Sequence, residues 1–99
     1  MMTDLSTLSA ETCRAHLNQP FRIDTGSERI AAELIEVQSH GGGGGGGRGG
    51  FTLLFRGPRQ PVLPQRIYQV SGDGLGPLAL FLVPVGTDAG GCLYEAVFN

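Results

Sequence analysis

The apolar positions of this chain fall into short runs of strand length, parted by glycine, proline and other turn formers. The clearest three are Phe51–Phe55, Arg66–Val70 and Leu78–Val85. Their length and spacing predict an antiparallel sheet curled around one small core. Upstream, Phe21-Arg22-Ile23-Asp24 alternates apolar and polar and reads as a first strand, ending at Thr25-Gly26-Ser27. Arg29 to Val37 reads as a second, but its inward parity changes: Ile30, Ala32 and Leu34 share one face, whereas Ile35 and Val37 have the opposite parity. One extra residue near Leu34–Ile35, a β-bulge, would bring Val37 back inside and bend the strand as a barrel wall requires.

In the third run Phe51, Leu53 and Phe55 share a face, and Leu54 points away from it. The stretch Gly57-Pro58-Arg59-Gln60-Pro61-Val62-Leu63-Pro64 carries three prolines, each lacking a ladder donor, so it predicts a stiff shaped corner and not a central strand. Leu78 to Val85 is almost unbroken in its apolarity, which predicts a strand buried on both faces. In Cys92 to Phe98, Glu95 marks the outside and sets Tyr94, Ala96 and Phe98 within. Residues 9 to 17 predict one short helix: Ser9 as N-cap, Glu11 in the first turn, Leu8 and Cys13 as a hydrophobic staple, Asn18 as a left-handed C-cap and Pro20 as a stop. At this length it must lie on the sheet to be stable, plugging one end.

The expected fold is therefore mainly β. It is a small six-stranded antiparallel barrel with one short N-terminal helix, a two-layer β-sandwich being the alternative. Residues 1–99 make one domain. Within it, the run Gly41 to Gly47 and the following Arg48-Gly49-Gly50 form a flexible loop with an r.m.s. span of roughly 17 Å, serving either as a hairpin loop or as a strap across a barrel end.

Charge removes some partner classes. The seven basic residues are all Arg and stand against nine acids, for a formal net charge of −2. Phosphate neutralisation dominates nucleic-acid affinity, and no basic excess is available for it. The two cysteines, Cys13 and Cys92, allow one bridge at most and read as small buried hydrophobes. The N-terminus lacks the basic and apolar regions of a signal peptide, and no apolar stretch is long enough to span a bilayer. The expectation is a cytoplasmic protein without membrane contact.

Several motifs occur together: Leu54-Phe55-Arg56-Gly57-Pro58, Leu63-Pro64-Gln65, Tyr68, Leu80-Phe81-Leu82-Val83-Pro84-Val85-Gly86 and Tyr94-Glu95-Ala96-Val97-Phe98-Asn99. With Leu8-Ser9-Ala10-Glu11 and the segment from Leu17 to Phe21, this set resembles a small bacterial family defined as a domain of unknown function. The resemblance covers nearly the whole chain except the glycine run, which looks like an expanded variable loop. It carries no catalytic residues. It implies a bacterial accessory protein, in some cases associated with phage-tail-like genes.

A phosphate-binding loop needs Lys and Ser or Thr after its last glycine at a helix start, but Arg48-Gly49-Gly50-Phe51 leads into a strand. Cys13 and His16 have a helical spacing that could meet a metal, yet only His40 and Cys92 remain as further soft ligands, so no metal or cofactor is expected. As nucleophile and base the same pair lacks an orienting third group. Glu33, Glu36 and Glu95 read as solvent-facing strand residues. The candidate partner-binding set is Arg56, Arg59 and Arg66, which flank the proline-rich corner with guanidinium groups suited to carboxylate or phosphate. The plainer role for them is to tie the corner down through backbone carbonyls and acids such as Asp73 or Glu95.

These observations lead to a non-catalytic protein-interaction or assembly module, a monomer or weak homo-oligomer that presents its 57–65 corner, and with it an edge strand, to a protein partner. The alternative is a small-ligand-binding barrel with a cavity lined by Phe51, Phe55, Tyr68 and Phe81.

Overall fold

The computed structural model describes residues 9–39 and 50–98. Among the described residues the order is α1 (Ala10–Arg14), β1 (Pro20–Asp24), β2 (Arg29–Ser39), β3 (Phe51–Gly57), β4 (Arg66–Gly72), β5 (Leu75–Asp88) and β6 (Gly91–Phe98). The strands close into a barrel in the order β1-β2-β3-β6-β5-β4, every pair antiparallel. The barrel is the expected fold, and the sandwich is set aside. Closure also means that each strand has a neighbour on both sides, which removes the edge strand expected from the sequence.

The ring consists of two three-stranded meanders. β1-β2-β3 and β4-β5-β6 are each sequential, and they join along two seams, β1 with β4 and β3 with β6. The middle strand of each meander is its longest and changes partner halfway. β2 pairs with β1 up to Glu33 and with β3 from Glu33 to Ser39. β5 pairs with β4 up to Leu82 and with β6 from Val83. Each carries a register shift, at Leu34/Glu36 in β2 and at Pro84/Gly86 in β5. The first is the bulge that the parity change foretold, and it returns Val37 to the edge of the core.

Phe21, Ile23, Leu34, Leu53, Phe55, Val70, Leu78, Leu80, Leu82, Tyr94 and Ala96 fill the barrel. Phe21 and Phe55 meet edge to face with centroids 5.4 Å apart, and Phe51 stacks on Phe98 at 4.5 Å. One expectation fails here. The apolar run of β5 is not buried on both faces: Leu78, Leu80 and Leu82 point in, while Phe81 is 51% exposed and sits across from Ile67, 64% exposed, on the outer surface. A strand alternates its side chains, and this barrel wall is a single layer, so alternate residues must face outward whatever their polarity.

The helix is shorter than the sequence predicted, ending at Arg14 with turns over 15–18. Ser9 does cap it, its Oγ accepting the Thr12 N–H at 3.2 Å. Asn18 takes the left-handed conformation at φ 64°, and its N–H donates to the Leu34 carbonyl at 2.7 Å. Cys13 buries itself in the core, and Arg14 reaches Ser39 at 2.8 Å, so the helix lies along β2. The Leu8 staple and the glycine run lie outside the described residues. Ser39 and Phe51, at the ends of β2 and β3, are register partners. No helix among the described residues is long and apolar enough to cross a membrane.

Candidate interaction surface: the strap and its arginines

β3 and β4 stand three places apart in the ring, so the chain from Pro58 to Gln65 cannot turn to a neighbour. It crosses the barrel as a strap, which gives the proline-rich corner its task. Leu63 is 5% exposed and joins the core, whereas Pro61, Val62, Pro64 and Gln65 around it are exposed, Val62 at 59%. Three prolines leave the strap few N–H groups, and the buried one on Leu63 donates to the Tyr94 hydroxyl oxygen at 2.9 Å. The Tyr68 hydroxyl donates to the Pro64 carbonyl at 2.6 Å, and the Cys92 thiol to the Arg59 carbonyl at 3.3 Å. Side chains of β4 and β6 thus hold the strap at three backbone points. Burial, its largest influence, raises the Tyr94 phenol above its ordinary value, which keeps it neutral for this role.

Arg56, on β3, is committed inside the molecule. Its Nε and Nη2 make a bidentate pair with the Asp88 carboxylate, the shortest contact being 2.9 Å, and Nη1 lies 3.5 Å from Glu33. Asp88 also accepts the Gly90 and Gly91 N–H groups at 2.8 and 3.1 Å, closing the β5–β6 turn. The hydrogen bond from Arg56, followed by the one from Gly90, holds the Asp88 carboxyl below its usual range. Arg56 in turn is raised, first by its bond to Asp88. Two glycines make room for this arrangement. A Cβ on Gly90 would come within 2.8 Å of Arg56 Cδ, and Gly91, at φ 145°, passes so near the Gly57 carbonyl that any side chain would collide with it. The acids that tie Arg56 are Asp88 and Glu33, not the Asp73 or Glu95 expected from the sequence. The Asp-Ala-Gly-Gly turn was the available signal, since Asp before glycines marks a side chain that caps its own turn.

Arg59 lies on the strap and is exposed, its Nη2 donating to the Ala89 carbonyl at 3.3 Å. Arg56 and Arg59 therefore meet at the β5–β6 turn, beside the β3 foot of the strap. Arg66 stands at the other foot, exposed, its guanidinium carbon 5.2 Å from the centre of the Tyr68 ring. The three arginines do not converge on one point. Two of them, Arg59 and Arg66, bracket the exposed part of the strap.

Elsewhere the side chains with chemical potential are held apart. Cys13 and Cys92 are both buried and free, and burial pushes the Cys13 thiol up to about 11. His16 packs edge-on against Phe21 at 6.2 Å. Among the described residues no three His, Cys, Asp or Glu side chains come together as metal ligands would. Of the four aromatics expected to line a ligand cavity, Phe51, Phe55 and Tyr68 pack in the core and Phe81 faces out. Among the described residues, depressions open on the outer surface. A shallow one of about 350 Å³ lies over Glu33, Arg56, Pro58 and Gly90, and a deeper cleft of about 300 Å³ lies over Arg22, Asp24, Arg29, Gln69, Ser71 and Pro77.

No curated protein and no solved structure matches the chain. A family model does, over residues 8–98, which takes in the helix, all six strands, the strap and its arginines. The chain belongs to the family described as a domain of unknown function, DUF6916.

Proposed function

We propose that the chain is a non-catalytic protein-interaction or assembly module whose binding surface is the strap over 57–65 together with Arg59 and Arg66. The observation that carries this reading is the fixing of Leu63 under Tyr94 while Pro61, Val62 and Pro64 stay exposed. A stiff apolar ridge loses little conformational entropy on docking, and pre-organisation of this kind favours affinity. Exposed guanidinium groups at its two feet suit an extended partner segment with acidic residues flanking an apolar one. Arg56 serves the surface indirectly, since its pair with Asp88 sets the turn on which Arg59 rests.

The resemblance implies that some members accompany phage-tail-like genes, and on that reading the partner is a structural component of such an assembly. The test is a photo-crosslinking residue placed at Val62 and, as a control, at Val97, an equally exposed valine toward the far end of β6, each expressed in the native host. A discrete adduct is expected from position 62 alone, and Arg59→Ala with Arg66→Ala should abolish it without changing the melting temperature. Equal labelling from both positions, or an adduct indifferent to the arginines, would refute the surface assignment.

A further inference from the structure

A second site lies on the outer face of β2, β1 and β4. The register sets Arg22 opposite Ala31 on one side and Ser71 on the other, and Asp24 opposite Arg29 and Gln69. Two neighbouring rows therefore cross the wall: Arg29-Asp24-Gln69 and Ala31-Arg22-Ser71. Side chains directly opposite or diagonal on such rows lie within reach of one another. Together with Pro77 at one side, five of these six residues, all but Ala31, line the cleft of about 300 Å³.

The chemistry of the lining is selective. Arg56 has two carboxylates, whereas neither Arg22 nor Arg29 forms an ion pair among the described residues. Asp24 has one oxygen engaged by the Gly26 N–H at 2.8 Å, which fixes its carboxylate in the wall. Ser71 and Gln69 add a hydroxyl and an amide as further donors. Two guanidinium groups and one carboxylate give the lining a net charge of +1, the complement of a single negative charge. A dianion or polyanion would meet the same arginines but also the Asp24 carboxylate at close range, where like charges repel.

We propose that this cleft binds a carboxylate group, received by Arg22 and Arg29, with Asp24 discriminating against dianions. The planar fork of arginine matches a carboxylate in bidentate fashion. The carboxylate comes either from a small free acid or from an acidic side chain of a polypeptide, and the site's chemistry is the same for both. This inference is independent of the strap, since no cleft residue belongs to it.

The test is a titration of the labelled protein followed by backbone amide NMR, at low salt and mildly alkaline pH. Under these conditions acetate is a monoanion and inorganic phosphate a dianion; chloride serves as the ionic-strength control. Saturable shifts confined to the amides of residues 22, 24, 29, 69 and 71 are expected with acetate, and weaker ones with phosphate. Arg22→Ala or Arg29→Ala should weaken acetate binding about tenfold, as loss of a hydrogen bond to a charged group does. Asp24→Asn should invert the preference in favour of phosphate. All three side chains lie on the outer face, so an unchanged melting curve verifies the fold of each variant. Shifts that fail to saturate, that spread over the barrel, or that survive in the double arginine variant would overturn the proposal. A capped glutamate peptide titrated in parallel identifies the source: binding tighter than acetate assigns a polypeptide ligand, and equal binding assigns a small acid.

Discussion

The hydroxyl oxygen of Tyr94, on β6, accepts the backbone N–H of Leu63 in the middle of the strap, 2.9 Å away and out of reach of solvent. That bond joins a strand at the centre of one meander seam to the segment linking the two meanders. Tyr94→Phe keeps the ring and its packing but strands a buried donor. The expected cost is about 1–3 kcal/mol, the penalty for an unsatisfied buried polar group. Urea unfolding of the two proteins measures it, and loss of protection at the Leu63 amide in hydrogen exchange would locate it.

Phe55 and Phe81 look alike in the sequence and differ in the barrel. Phe55 is 1% exposed and touches Phe21, whereas Phe81 shares the outer surface with Ile67. Phe55→Ala should cost about 3–5 kcal/mol, as deletion of a buried aromatic does. Phe81→Ala removes only a cross-strand contact and should cost at most about 1 kcal/mol. Equal losses in parallel denaturation curves would contradict the placement of Phe81.

The Arg56–Asp88 pair gives the protein an acid limb. Asp88 titrates below its ordinary value of 3.8 because Arg56 and the Gly90 N–H bond its carboxylate. A carboxyl depressed on folding contributes its full stabilisation above the unfolded value and loses it as pH falls through the folded one. Asp88→Asn should therefore be less stable than the parent at neutral pH, and the difference should close as pH drops below 3.8. Melting temperatures of both proteins across that range decide the matter; a gap that persists in strong acid would show that something other than ionisation stabilises the turn.

Cys13 predicts the opposite limb. Its thiol rises from 9.0 to about 11 through burial, so the folded state resists ionisation. The contribution is full below 9.0 and is lost as pH climbs toward about 11. Below 9.0 the folded thiol holds about a hundredfold less thiolate than the unfolded one, and thiolate is the reactive species. Iodoacetamide at mildly alkaline pH should modify the native protein at least that much more slowly at Cys13 than the denatured one. Rapid native labelling at this residue would place it nearer the surface than the barrel does.

How much of this was legible beforehand depended on contrast between neighbouring residues. In β2, Glu33 and Glu36 stand among apolar residues, so the change of parity at Leu34–Ile35 exposed the bulge. β5 has an equivalent register shift at Pro84/Gly86, but the residues leading up to it are apolar at both parities, so no change of parity reveals the slip. The same lack of contrast made Phe81 look internal. The strap was recognisable as a stiff, proline-shaped segment, yet its crossing depends on strand order, which pairs residues far apart in the chain and leaves no local trace. The partners of Arg56 were missed for the same reason, since Asp88 lies 32 positions away.

The two seams have a further consequence. Each meander exposes half of an apolar inner wall until the other closes over it, and only the 57–65 segment tethers them. Two chains whose tethers let go could exchange halves, the first meander of one completing the second meander of the other along the same two ladders. Such an intertwined dimer would reproduce every contact of the closed single-chain barrel except those of the tether itself, so the hydrogen bonds that Tyr94 and Tyr68 make to the tether weigh against the exchange.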